Sequence, residues 1–235
     1  MYILGHCFWN MSKREEVRIQ RSVLSKAEKK LLIWIAKRLP RWISSDHLSW
    51  LGLFGAFISG GGYFLSNWGK EFLWIASFGF FINWYGDSLD GTLARVRNKQ
   101  RPVYGFFLDH NIDGLTGLII CIGAGVSPFI SFSVSMLILV GYYLLTIFTH
   151  INTYLKGEFK ISYGGFGPTE LRIAIVIINT LFIYLPTDYP PVTLFGMSIK
   201  IFDLIAIFVA LVLFALYFYF FFTEKKKYEK IDPQI

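Results

Sequence analysis

The sequence predicts an all-α integral membrane protein: a bundle of six transmembrane helices preceded by an N-terminal amphipathic helix on the membrane surface. Three observations lead there. Hydrophobic residues make up 54% of the chain and charged residues 17%, far from the balance of soluble domains. Six apolar runs each approach the roughly 20 residues that a bilayer core requires. Finally, if those runs alternate in direction, all 23 Lys and Arg except Lys70 and Lys200 fall on one side. Such an excess marks the cytoplasmic side. Both termini and the loops at 95–104 and 155–172 are therefore expected to face the cytoplasm. The formal charge of +7 reads as a surface suited to anionic lipid. No fold signal supports a nucleic-acid partner.

Taken in order, residues 1–10 precede Met11-Ser-Lys-Arg-Glu-Glu, which reads as a natural beginning. They are treated as an extension without a role. They lack the charged n-region of a cleavable signal peptide. Within 11–47, Leu24, Ala27, Leu31, Trp34, Ile35 and Leu39 recur at helical spacing. Lys26, Lys29, Lys30, Lys37 and Arg38 lie between them, and Pro40 follows. That pattern is an interfacial helix; packing on a partner protein is the alternative reading. The spans follow at 48–66, 71–95, 105–126, 131–154, 170–186 and 201–222, within one membrane domain of 48–222. Trp9, Trp42, Trp50, Trp68 and Trp84 lie mostly near the expected interfaces, as aromatic belts do. Residues 223–235 form a basic tail. Cys7 and Cys121 are isolated, so no disulfide or zinc pattern exists. Gly60-Gly61-Gly62 permits close helix contact.

The ends of the second and third runs break the apolar pattern. Asp87-Ser-Leu-Asp90-Gly91-Thr-Leu-Ala94-Arg95 is followed, after nine residues, by Gly105-Phe-Phe-Leu-Asp109-His-Asn-Ile-Asp113. A charge at the bilayer centre costs about 2.5–3.5 kcal/mol on insertion scales, so four unpaired carboxylates would cost on the order of 10 kcal/mol. Compensation is required. Residues three and four apart share a helix face, so Asp87, Asp90, Gly91 and Ala94 line one stripe and Gly105, Asp109 and Asp113 another. The spacer contains Arg97, Lys99, Arg101 and Pro102 and reads as a polar turn. Two antiparallel helices would then hold four carboxylates at one end, matched to two Mg²⁺ or Mn²⁺ ions. Such a pair of ions suits in-line displacement at a pyrophosphate.

This pattern resembles the signature of the CDP-alcohol phosphatidyltransferase family. All eight defining positions are present, as Asp87, Asp90, Gly91, Ala94, Arg95, Gly105, Asp109 and Asp113. The spacer is one residue longer than the commonest family form, which reads as an extra loop residue. The resemblance implies a CDP-linked donor whose diphosphate lies at the metals, attack by an acceptor hydroxyl, and loss of CMP. It implies Asp87, Asp90 and Asp109 as metal ligands, and Asp113 as ligand and general base. Gly91 and Ala94, with Gly105, would leave room for the nucleotide or a neighbouring helix, and Arg95 would sit near phosphate or brace the motif. A homodimer is a family expectation.

Further residues carry two readings each. Ser44-Ser45-Asp46-His47-Leu48-Ser49 lies where the family often has Thr-Pro-Asn-x-Leu-Thr. Asp46 would either help hold the nucleotide or cap a helix. Thr153-Tyr154, Gly157 and Thr169-Glu170 resemble the choline/ethanolamine phosphotransferase branch, as does the pair Asp109-His110. His110 points about 100° away from the carboxylate stripe and reads as a packing or hydrogen-bonding residue. Glu170 is either a charge at a helix N-terminus or an acceptor-site residue. Arg172 is either a snorkelling arginine or a ligand for an anionic head group.

Three functions are thus in view. The first is a membrane enzyme of phospholipid synthesis using CDP-diacylglycerol and a small polar alcohol, with transfer from a CDP-aminoalcohol to diacylglycerol as its alternative. Six spans leave no room for the extra helices of the larger aminoalcohol enzymes. The second is a divalent-cation transporter, although only Asp188 and Asp203 offer carboxylates on the outer half. The third is a scaffold-like family member, although no motif position is lost.

Overall fold

Helix boundaries follow from capping residues and prolines as much as from the apolar runs. A computed structural model describes residues 17–19, 24–156, 158–160, 167–186, 192–194 and 197–232. Among them are seven α-helices: α1 (Ser25–Ala36), α2 (Ser45–Leu65), α3 (Leu73–Val96), α4 (Pro102–Gly125), α5 (Phe132–Lys156), α6 (Pro168–Tyr184) and α7 (Ile201–Ile231). A single 3-10 turn, Lys70–Phe72, leads into α3. Two strand pairs of three residues were not expected. β1 (Val17–Ile19) runs parallel to β2 (Glu158–Lys160), and β3 (Val192–Leu194) forms a hairpin with β4 (Met197–Ile199). Residues 1–10, Gly157 and Asp188 lie outside the described residues.

The start of α2 shows the local logic. Ser44 Oγ accepts from the His47 backbone N–H at 3.3 Å, and His47 Nδ1 accepts from the Ser44 N–H at 3.2 Å. This reciprocal pair satisfies two otherwise orphaned donors. The cap is therefore Ser44, not Asp46. Pro begins α4 and α6, where its missing N–H costs nothing. Between α3 and α4 the chain reverses through Asn98, whose φ of 52° is a left-handed conformation that Asn tolerates.

α2 packs most extensively against α3, and glycine makes that possible. A Cβ on Gly79 would lie 2.7 Å from the Gly55 carbonyl oxygen, and one on Gly86 would lie 2.7 Å from the Gly52 Cα. Small residues at such crossings let membrane helices approach closely. In the Gly60-Gly61-Gly62 run, Gly60 serves the packing of this chain itself: a Cβ on Gly123 of α4 would lie 2.6 Å from the Gly60 oxygen. Gly62 likewise meets Ala76, while Gly61 faces open space. The dimer expectation therefore gains no support from this glycine run.

Two buried clusters bracket the bundle. Tyr63, Leu73, Ala76, Phe80, Phe129, Phe182 and Phe202 pack at one end. Leu32, Ala36, Leu48, Leu89 and Leu93 pack at the other, beside the aspartates. α1 joins the second cluster through Leu32 and Ala36, with Ile35 and Leu39 of the expected stripe packed partly against it. Leu32 and Ala36 turn inward, whereas Leu24, Leu31 and Trp34 are exposed. Glu28 of the same helix accepts from Trp84 Nε1 at 2.7 Å and from Thr169 Oγ1 at 2.7 Å.

Four helices are long and apolar enough to cross a membrane: α2, α4, α5 and α7 from Phe202 onward. The expected six are not all met by length and composition. Two carboxylates and an arginine interrupt α3 within its last turns, and α6 has only 17 residues.

Candidate active site

The site forms where carboxylate side chains from the C-terminal half of α3 and the N-terminal half of α4 converge. Carboxylate oxygens of Asp87, Asp109 and Asp113 lie within 4.8 Å of one another. Three acidic oxygens that close, from two helices, form a hard-donor set that fits a divalent cation. The structure thus brings together three of the four predicted aspartates.

Asp90 is turned toward α2. Its Oδ2 accepts from Ser49 Oγ at 2.6 Å, and its Oδ1 accepts from the Gly91 N–H. The residue is buried, and it interacts electrostatically with Asp109 and Asp87. It forms the α2-facing wall of the acidic site. Ser49 was visible in the sequence only as the last residue of a degenerate motif. In the fold it orients Asp90.

Two residues from more distant helices enter the site, and neither role was legible in the sequence. Arg172, one turn into α6, donates from Nη2 to Asp87 Oδ2 at 2.6 Å. Its side chain is 15% exposed, so it neither snorkels outward nor waits at the surface. A charged residue at membrane depth pairs with another, and this rule was the available signal. Tyr142 of α5 is the second. It packs beside Gly117, where a Cβ would lie 3.0 Å from Tyr142 Cε1, and it interacts electrostatically with Asp113.

The remaining motif positions separate into open and occupied. A Cβ placed on Gly105 would meet nothing within 4 Å, so this residue faces open space. Gly91 is half-buried beside Asp90. Arg95 Nη2 donates to Thr92 Oγ1 at 3.1 Å, which braces it along its own helix. Ala94 lines a cleft of about 410 Å³ together with Asp46, Arg41, Lys99 and Arg101. Asp46 forms an ion pair with Arg101 in the lining of that cleft. Arg97 supports the wall, donating to the carbonyls of Leu39 and Pro40 at 2.9 Å.

Glu170 at the start of α6 and His110 on α4 make contacts within the fold. Glu170 accepts from the Gly167 N–H at 3.0 Å and from the Leu24 N–H at 3.1 Å. This geometry fits a charge at the helix start, the first of its two readings. His110 Nδ1 lies 2.8 Å from the Phe106 carbonyl, and its ring stacks on Phe106 at 4.0 Å and meets His150 edge-on at 4.5 Å. This is the packing role expected of it.

Residues 42–223 match the family described as CDP-alcohol phosphatidyltransferase. The chain belongs to that family. It is 25% identical over 204 residues to cholinephosphotransferase 1 of Danio rerio, covering 80% of this chain and 51% of that protein. It is 33% identical over 96 residues to archaetidylinositol phosphate synthase of Pyrococcus horikoshii, covering 41% of this chain and 50% of that protein. The chain spans about half the length of each of these relatives. A CDP-alcohol phosphatidyltransferase is a membrane transferase of phospholipid synthesis that depends on divalent metal, and the aspartate trio fits that dependence. Membership of the family sets the transporter reading aside.

Proposed function

We propose that this chain transfers a phosphatidyl group from CDP-diacylglycerol to the hydroxyl of a small polar alcohol, releasing CMP. The observation that carries the reading is the acidic trio of Asp87, Asp109 and Asp113 within 4.8 Å, with Ser49-bound Asp90 beside it. These four would hold two Mg²⁺ or Mn²⁺ ions, which when bound neutralise the diphosphate and polarise the phosphorus under attack. The residues of the chain do the rest. Asp113 takes the proton of the acceptor hydroxyl, whose oxygen bonds to the phosphorus distal to the cytidine. The bond from that phosphorus to the CMP oxygen breaks, and CMP leaves. Ala94 and Asp46 border the nucleotide in their shared cleft, and Gly91 and Gly105 leave it room. Arg95 braces the motif helix.

The same reading gives the chain its place in the membrane. Residues 48–222 form the catalytic domain, with α3 and α6 completing six spans around the site. The exposed Leu24, Leu31 and Trp34 of α1 lie in the cytoplasmic interface, where an amphipathic helix buries such residues in lipid. The motif, the basic loops and both termini face the cytoplasm. The lipid substrate enters sideways from the bilayer and the polar one from the cytoplasm.

A second reading is transfer of a phospho-aminoalcohol from CDP-choline or CDP-ethanolamine to diacylglycerol. It is favoured by the similarity to a cholinephosphotransferase over 80% of the chain. Against it, Thr169 and Glu170, which resembled that branch, are engaged in holding α1 and the start of α6. Purified protein in nanodiscs with Mg²⁺ separates the two. CMP release from CDP-diacylglycerol with a polyol, amino acid or sugar-phosphate acceptor is expected. Release only from CDP-choline or CDP-ethanolamine with diacylglycerol would establish the second reading instead.

A further inference from the structure

Asp87 is shared. Its Oδ2 accepts from Arg172 at 2.6 Å, and its carboxylate also belongs to the trio within 4.8 Å. Arg172 is in addition a counter-charge for Asp113. A guanidinium and a divalent cation on one carboxylate repel each other, so occupancy by one weakens the other.

The helix carrying Arg172 is held in place. Thr169 Oγ1 donates to Glu28 at 2.7 Å, and Asn179 accepts from Tyr63 OH at 3.0 Å and donates to Ser77 Oγ at 3.2 Å. Relief of the repulsion must therefore come from the Arg172 side chain, which is long and flexible. An incoming diphosphate offers that side chain a new anionic partner, one that guanidinium groups bind well.

We propose that Arg172 is the resident counter-ion of the acidic site, and that it makes tight binding of divalent cations depend on arrival of a nucleotide diphosphate. With the diphosphate present, the guanidinium exchanges Asp87 for phosphate oxygen and the cations take the carboxylate. Arg172 is thus a positioning residue that couples metal and donor. This rests on reading the aspartates as metal ligands.

The test is titration of the full-length protein in detergent with Mn²⁺, read by electron paramagnetic resonance, with and without CDP. In Arg172→Gln, Mn²⁺ alone binds about tenfold tighter than in the unaltered protein, and the tightening that CDP confers shrinks by a similar factor. Arg172→Lys, which keeps the charge, falls between. Unchanged or weaker Mn²⁺ binding in Arg172→Gln, or undiminished coupling to CDP, overturns the proposal. If Arg172→Gln does not fold, dicarbonyl labelling of the unaltered protein decides: Mn²⁺ with CDP must change the labelling of Arg172, and no change overturns it. Asp87→Asn separates the two levels. Weaker Mn²⁺ binding there supports the metal site, whereas unaltered binding removes both the metal site and the proposal.

Discussion

Ser49 on α2 and Asp90 on α3 are joined by a 2.6 Å hydrogen bond across 41 residues of sequence. The bond explains why α2 belongs to the site although it carries none of its trio. A buried carboxylate without a partner is costly, and the Ser49 hydroxyl supplies one while aiming Asp90 along the α2 face.

Ser49→Ala removes that partner. A hydrogen bond to a charged group contributes about 1.5–3 kcal/mol, so Ser49→Ala should lower thermal stability and reduce turnover. Ser49→Thr, which keeps the hydroxyl, should retain most of both. Thermal unfolding and CMP release on the two variants check this, and an Ala variant equal to the Thr variant would remove Ser49 from the site.

Asp113→Asn should abolish turnover while leaving binding of the CDP-linked donor largely intact. Three carboxylates remain, but the proton acceptor is gone, and loss of a general base costs about 10²–10⁴-fold. Asp87→Asn should instead weaken metal and donor binding together. Calorimetric titration beside turnover distinguishes the two patterns.

Gly91→Leu should eliminate activity without unfolding the chain. Leu suits a helix interior better than Gly, so the loss would come from space taken beside Asp90. A sharp fall in the melting temperature of the ligand-free protein would assign Gly91 to helix packing instead.

Gly86→Val should destabilise the fold itself. A Cβ there meets the backbone of α2 at Gly52, and overpacking costs about 1–3 kcal/mol or more. A melting temperature equal to that of the unaltered protein would show that the α2–α3 contact can open without loss.

Glu28→Gln tests whether α1 is part of the working fold. Glu28 holds Trp84 and Thr169 at 2.7 Å each. Weakening bonds to a charged acceptor should cost about 1–3 kcal/mol and raise protease access near Leu24. Unchanged proteolysis would show that the Leu32 and Ala36 packing alone holds α1.

Four of the helices were legible because bilayer thickness sets the length of an apolar span. The run at 131–154 became Phe132–Lys156, and that at 105–126 became Pro102–Gly125. The trio was legible from spacing. What spacing left open was rotation. Asp87 and Asp90 sit about 60° apart around a helix, near enough to share a stripe and far enough to face different neighbours. Asp87 meets Arg172 while Asp90 meets Ser49. Arg172 and Tyr142 were hidden for the same reason, since a contact between helices distant in sequence leaves no local pattern. On α1, the half-buried Glu28 bonds Trp84 and Thr169, a pair of contacts that periodicity does not show.

The most direct measurement is CMP release by the purified full-length protein from CDP-linked donors, with Mg²⁺ or Mn²⁺ and then with excess chelator. The expected result is CMP from the unaltered protein only when a divalent cation is present, and none above background from Asp113→Asn. Release that survives chelation, or that proceeds undiminished in Asp113→Asn, would contradict it.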